Sequence, residues 1–247
     1  MSYIKQGDCL QLMNEIPDGS VDMILCDLPY GVTHNEWDAV IPTEPLFTQY
    51  KRVIKDDGAI LLFAQMPFAA RLVSAEPKLF RYEWVWHKTM PTGHLNARRM
   101  PLRAHENILV FYKRPPEYHP QMRPGKPYTS RSEHRTSNYN AQVATVTEND
   151  GTRYPIDVVT YSNNNRRSLH PTQKPVELLE YMIRTYTSEG DTVLDNCMGS
   201  GSTCVAAINT GRQYIGFEMD EGYFDIARRR IAEAEHGSYK GESERHG

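Results

Sequence analysis

Short apolar runs alternate with amphipathic stretches along most of these 247 residues, and that alternation limits the folds open to the chain. Residues 3–6, 21–26, 59–63, 80–87, 107–112, 192–194 and 214–217 read as strands. The run Ala59-Ile60-Leu61-Leu62-Phe63 has no polar alternation, which suits a strand buried on both faces. Between the runs lie helical patterns. Leu10, Leu12, Met13 and Ile16 share one side, and Leu178, Leu179, Met182 and Ile183 share another. Further helices are expected at about 44–54, from 67 to 74, at 203–210 and at 223–234, with Asp56-Asp57-Gly58 stopping the first of these. Strands that alternate with helices predict an α/β protein with a mainly parallel, doubly wound sheet. In such sheets ligands bind beyond the C-terminal strand ends, near the switch point.

Two strand ends carry unusual chemistry. Val21-Asp22-Met23-Ile24-Leu25-Cys26 runs into Asp27-Leu28-Pro29-Tyr30 and then Gly31. A carboxylate, a rigid backbone and an aromatic ring then sit together at the mouth of the sheet. An exocyclic amino nitrogen is a poor nucleophile because its lone pair is delocalised into the ring. Two in-plane acceptors can hold its two N–H bonds: the Asp27 carboxylate, and the Leu28 carbonyl that Pro29 biases toward an extended conformation. Tyr30 offers a face for stacking. A base inside a duplex cannot reach such a pocket, so it must flip out or come from a single strand. The competing reading is an ordinary strand-ending turn with Tyr30 half in the core.

The second is Asp195-Asn196-Cys197-Met198-Gly199-Ser200-Gly201-Ser202, between a strand and a helix. Small residues let a ligand approach the backbone, and the helix start supplies free N–H groups. Glu218 lies 17 residues past Gly201 at the next strand end, where a carboxylate can accept from a ribose diol. Cys204 stands where the dinucleotide fingerprint has its third glycine, and no Gly-Lys-Ser/Thr is present, which disfavours nicotinamide dinucleotides and ATP. The alternative is a tight turn that merely packs helix on strand.

The net charge of −3 conceals an asymmetry: residues 81–135 hold eleven Lys/Arg against four acids. A basic middle on an acidic body is the footprint of a phosphate-facing surface, though a solvated basic loop has the same composition. From 113 to 167 proline, serine, asparagine, arginine and tyrosine dominate without helical period, which suggests a small irregular module or a segment that orders on a partner. Cys9, Cys26, Cys197 and Cys204 form no CxxC pair and read as buried free thiols. No metal-ligand spacing appears among the nine histidines, so no metal site is expected and His170 reads as structural. The start has no apolar signal stretch and no run approaches a membrane span, so the expected compartment is the cytoplasm.

With these motifs the chain resembles the exocyclic-amino DNA methyltransferases, the N6-adenine/N4-cytosine family that uses S-adenosyl-L-methionine. The likeness covers most of the chain except 113–167. The catalytic turn precedes the Gly-rich turn, with the basic variable segment between them, which is the β-class order, a circular permutation of one sheet. The resemblance implies a Rossmann-like methyltransferase. Residues 1–112 would be its catalytic half, 113–167 an inserted target-recognition region, 168–235 its cofactor-binding half and 236–247 a flexible tail. The family's usual Asp-Pro-Pro-Tyr appears as Asp27-Leu28-Pro29-Tyr30, which keeps the backbone carbonyl.

By the same resemblance Asp8, beside Cys9, accepts from the cofactor's adenine amino group, and Glu218 is the ribose acid. Asp195, Cys197, Gly199, Ser200, Gly201 and Ser202 form the methionine-binding loop, with Asp27 beside it. His170-Pro171-Thr172-Gln173-Lys174-Pro175 is similar to the family's HPT-x-KP segment, so Thr172 and Lys174 are expected at the methionine carboxylate; a surface lysine at a helix start is the other reading. Arg98, Arg99, Arg103, Arg114, Arg123, Arg131, Arg135, Arg166 and Arg167 are pooled as DNA contacts. His34, Trp37 and Asp38 line the base pocket or form a lid, unless Trp37 only anchors a loop. Trp84 and Trp86 alternate on a strand and read as core. Aspartate at position 27, where serine is the other option, favours adenine over cytosine. The expectation is a site-specific adenine-N6 methyltransferase acting on double-stranded DNA with the target base flipped. Its alternatives are N4-cytosine methylation and a catalytically silent DNA-binding relative. The resemblance also admits a homodimer and a separate restriction endonuclease.

Overall fold

The computed structural model describes residues 2–31, 40–132, 145–163 and 173–237. The chain divides into two compact units, Met1–His119 with Asp157–Gly247, and Pro120–Ile156. In chain order the first unit contributes strands β1 (Tyr3–Gln6), β2 (Val21–Cys26), β3 (Ile54–Ala64), β4 (Phe80–Thr92) and β5 (Arg103–Phe111). The second unit holds β6 (Arg123–Pro124), β7 (Tyr128–Ser132), β8 (Thr145–Asn149) and β9 (Thr152–Arg153), paired antiparallel as β6–β9 and β7–β8. The first unit resumes with β10 (Val158–Tyr161), β11 (Thr192–Asp195) and β12 (Gln213–Glu218).

Eight strands of the larger unit form one sheet in the order β1-β12-β11-β2-β3-β5-β4-β10. All neighbours run parallel except β5, which is antiparallel to both β3 and β4. Period-2 alternation splits each central strand between two cores. Met23, Leu25, Leu61 and Phe63 face helices α4 (Val176–Tyr186), α5 (Ser202–Asn209) and α6 (Glu221–Glu235). Ile24, Cys26, Ile60 and Leu62 face α1 (Cys9–Leu12), α2 (Thr43–Val53) and α3 (Phe68–Ala75). That two-sided burial is why the apolar runs lack polar alternation. Leu46, Phe47, Tyr50 and Val53 lock α2 to its side, each worth about 1.5–3 kcal/mol when fully buried.

Two stretches depart from the sequence expectation. Asp56-Asp57-Gly58 is no turn: β3 begins at Ile54 and passes through it. Val21 faces Ile54 but Met23 faces Ala59, so residues 55–58 bulge out of register. A Cβ on Gly58 would sit 2.7 Å from the Asp22 carbonyl oxygen, so the glycine serves this close approach. In the irregular middle, Val158–Tyr161 adds a parallel edge strand to Val85–Lys88 of the main sheet. Four residues at an edge carry too little periodicity to be read from sequence. Cys9, Cys26 and Cys204 are buried free thiols and Cys197 a half-buried one. No helix among the described residues is long and apolar enough to cross a membrane.

Candidate active site

β1, β12, β11 and β2 are parallel neighbours, so their C-terminal ends share one edge of the sheet. The residues just beyond those ends are Gly7-Asp8, Glu218 itself, Asp195-Asn196 and Asp27. One cavity of about 1010 Å³ opens there. It brings together the Asp27-Leu28-Pro29-Tyr30 turn and the Gly199-Ser200 turn, and is lined also by Asp8, Cys9, Lys174, Asp195, Cys197, Ser202 and Glu218. Gly201 stands behind this lining: its φ is +79°, and a Cβ there would come within 3.0 Å of the Ala227 Cβ on α6. Glycine is thus what lets α5 start this close to α6.

The cofactor-side turn is held from several directions. Glu218 accepts from the Gly199 N–H at 2.8 Å with one oxygen and from the Asp220 N–H at 2.9 Å with the other. Arg230 of α6 donates to the Ser200 carbonyl at 2.6 Å and the Ser202 hydroxyl at 3.1 Å. Tyr50 donates to Asn196 Oδ1 at 2.6 Å in the core. Asp8 caps α1 through the Leu10 N–H at 2.8 Å. Asp195 is buried, and burial pushes its carboxyl up to about 6 despite the Thr203 hydroxyl and the Cys197 N–H that bond to it. Burial also raises Glu218.

The other half of the cavity is a chain of alternating charge. Asp27 accepts from the Tyr30 hydroxyl at 2.9 Å and from Lys174 Nζ at 2.5 Å, one on each oxygen. Lys174 Nζ also lies 3.3 Å from Glu106 Oε2, and Lys88 pairs with Glu106 Oε1. The Lys174 contact to Glu106 is ionic without hydrogen-bond alignment, so Oε2 is a buried oxygen lacking a hydrogen bond among the described residues. Lys174 rests over the Phe63 ring and Lys88 over the Trp86 ring, at 5.1 and 5.4 Å from the centroids.

Burial pushes the Asp27 carboxyl up, and Glu106 adds to this while Lys174 opposes it. For Glu106 burial pulls upward too, but Lys174 and Lys88 together outweigh it and hold the carboxyl below its usual range. Lys174 is held above its usual value because Asp27 and Glu106 outweigh its burial. Lys174 and Glu106 are therefore charged near neutral pH, and Asp27 is the weaker of the two acids.

Lys174 thus points to Asp27 and Glu106. It is buried, not a surface lysine at a helix start. Glu106 and Lys88 were not singled out from sequence. A signal existed: Trp84, Trp86 and Lys88 are spaced by two, so Lys88 shares the buried face of the tryptophans. Trp84 and Trp86 are buried, and Trp86 also lines the cavity.

The arginines scatter. Arg103 lines the cavity and donates to Gln65. Arg98 and Arg99 are exposed on the β4–β5 connection. Arg114 does not join them: it follows β5 at the opposite end of the sheet and pairs with Asp56 at 3.7 Å. Arg123 and Arg131 belong to the second unit, where Arg123 donates to the Tyr154 carbonyl. Arg135, Arg166, Arg167, Thr172, His34, Trp37, Asp38 and His170 lie outside the described residues.

The sequence profile of the N6/N4 DNA methylase family matches residues 21–229. The chain belongs to this family. The candidate methylase YubD of Escherichia coli (strain K12) is 29% identical over 254 residues, covering 98% of this chain and 95% of YubD. Among solved structures, the complex of M1.HpyAVI with SAM superposes with a TM-score of 0.63 at 22% identity, over 93% of this chain and 100% of that one. PvuII DNA methyltransferase, specific for cytosine N4, gives 0.65 at 18% identity, over 97% and 93%. These structures share the Rossmann-like methyltransferase fold with this DNA methylase.

Proposed function

We propose that this member of the DNA methylase family transfers a methyl group from S-adenosyl-L-methionine to the N6 amino group of adenine in DNA. The observation that supports it most is the meeting of the Asp27 turn and the Gly199-Ser200 turn in one cavity. A donor and a splayed base could then share it. The cavity suits a cationic donor: seven acidic side chains line it against three basic ones. M1.HpyAVI was solved with SAM, and the fold is common to both.

In this reading Glu218 takes the ribose hydroxyls, Asp8 the adenine amino group of the donor, and Asp195 with the Cys197–Ser202 turn its methionine part. The Asp27 carboxylate and the Leu28 carbonyl hold the two N–H bonds of the target amino group, and the Tyr30 ring stacks on the base. In the reaction, the amino lone pair forms the N–C bond as the methyl–sulfur bond breaks, its electrons staying on sulfur, and the nitrogen then sheds one proton. Asp27, whose proton affinity burial has raised, receives that proton and passes it to solvent. Catalysis on the protein's side is positioning and electrostatics. Pro120–Ile156, with Arg123, Arg131 and Arg135, is the proposed target-recognition segment, and Arg98, Arg99 and Arg103 the proposed phosphate contacts near the cavity.

Aspartate at position 27 favours adenine; N4-cytosine transfer is the other outcome, and PvuII methyltransferase shares the fold. Incubating the protein with DNA and donor, digesting to nucleosides and weighing them separates the two. N6-methyl-2′-deoxyadenosine supports the proposal, and N4-methyl-2′-deoxycytidine replaces its finer half. No methylated nucleoside, together with no donor binding by titration calorimetry, leaves a silent DNA-binding relative.

A further inference from the structure

We propose that Glu106 is a positioning residue for methyl transfer, which takes over the Lys174 ammonium from Asp27 when the target base enters. The inference rests on the reading of Asp27 as the amino-group acceptor. In the structure both Asp27 oxygens are engaged, by the Tyr30 hydroxyl and by Lys174. A neutral amino N–H does not displace an ammonium from a buried carboxylate unless the ammonium has a second anionic partner.

Glu106 Oε2 is that partner. It lies 3.3 Å from Lys174 Nζ, and it lacks a hydrogen bond among the described residues. A buried acceptor left this way costs free energy that an incoming donor recovers. Moving Nζ from 3.3 Å to a hydrogen-bonding distance requires less than about 1 Å of travel. Lys88 occupies the other Glu106 oxygen, so the carboxylate keeps its place. The Phe63 ring under Lys174 supports the ammonium in both positions.

The two acids and two lysines balance, so the handover changes no net charge in the cavity. What changes is Asp27. Relieved of the ammonium, it becomes a better acceptor for the amino group and for the proton the product nitrogen sheds. The groups that act on Asp27 are Lys174, Glu106 and Tyr30, with Asp195 nearby and Lys88 beyond Glu106.

The test uses the full chain, a DNA substrate that the wild type methylates, and S-adenosyl-L-methionine. Glu106→Gln leaves Lys174 with Asp27 as its anionic partner. The expected result is a fall in kcat of at least tenfold, with donor affinity by titration calorimetry within threefold of wild type. The acid limb of the kcat–pH profile should also move to lower pH, since Asp27 loses a negative neighbour and keeps its cation. The double variant Lys88→Met/Glu106→Gln restores charge balance and should show the same kcat loss, and Glu106→Asp should recover part of it. Wild-type kcat with an unmoved acid limb in Glu106→Gln overturns the proposal. So does full recovery in the double variant, which would assign the effect to net charge. Loss of donor binding in both variants assigns Glu106 to folding and overturns it as well. A wild-type protein that binds donor but methylates no DNA instead sinks the functional reading itself, before any variant is compared.

Discussion

Replacing Asp195 by asparagine should flatten the pH dependence of stability by an amount that follows from its site. Asp195 ends β11, is 4% exposed, and has its carboxyl raised from 3.8 to about 6, with burial the largest cause. A gap of about 2 pH units is worth about 3 kcal/mol. Between pH ~4 and ~6 the native chain holds a proton that the unfolded chain has already lost. Stability from this group is therefore full below pH ~4 and disappears as pH rises through ~6. At neutral pH the fold carries a buried carboxylate at a cost of about 3 kcal/mol relative to the protonated form. Asp27 and Glu218 are raised as well, so the quantity to read is the difference between wild type and variant. Urea unfolding of both proteins from pH 4 to 7.5, without donor, gives that difference. Asp195→Asn should gain about 3 kcal/mol on wild type across the range. Parallel curves would refute the assignment of the upward shift to Asp195. A gain that appears only above pH 7 would point to another group.

Three further outcomes follow from particular contacts. Asp27→Ala should abolish methyl transfer while donor binding by calorimetry largely persists; full activity in that variant would falsify its role. Gly201→Ala forces a Cβ to within 3.0 Å of Ala227 at a φ of +79°, and should cost about 1–3 kcal/mol of stability by urea unfolding, together with weakened donor binding. Tyr50→Phe leaves Asn196 Oδ1 without its 2.6 Å donor in the core and should cost about 1–3 kcal/mol, with little change if water replaces the hydroxyl.

The α/β alternation, the apolar strands, the acidic turn at Asp27 and the small-residue turn before α5 were legible from sequence. Each is a local signal: a few neighbouring residues set the backbone, whatever lies elsewhere in the chain. The Asp-Asp-Gly stretch at 56–58 shows where that logic stops. Its composition says turn, yet pairing with β2 draws it into a bulged strand, and Gly58 fits against the Asp22 carbonyl. The edge strand β10 was hidden for the converse reason, since its existence depends on β4 being open to pairing on that side.

By itself the sequence determined which backbone segments become strands, which ends carry acids and glycines, and that the chain has the parts of an amino-methyltransferase. Only the tertiary structure decided what the buried charges touch. Lys174 reaches Asp27 across 147 residues of chain, and Lys88 reaches Glu106 because β4 and β5 pair Glu106 with Trp86, two residues from Lys88 on the same face. Backbone preference acts over a few residues, whereas the partner of a buried ion is set by strand order and register. Burial makes an unpaired charge too costly to keep, so the fold must bring such groups together even where no short stretch of sequence foretells it.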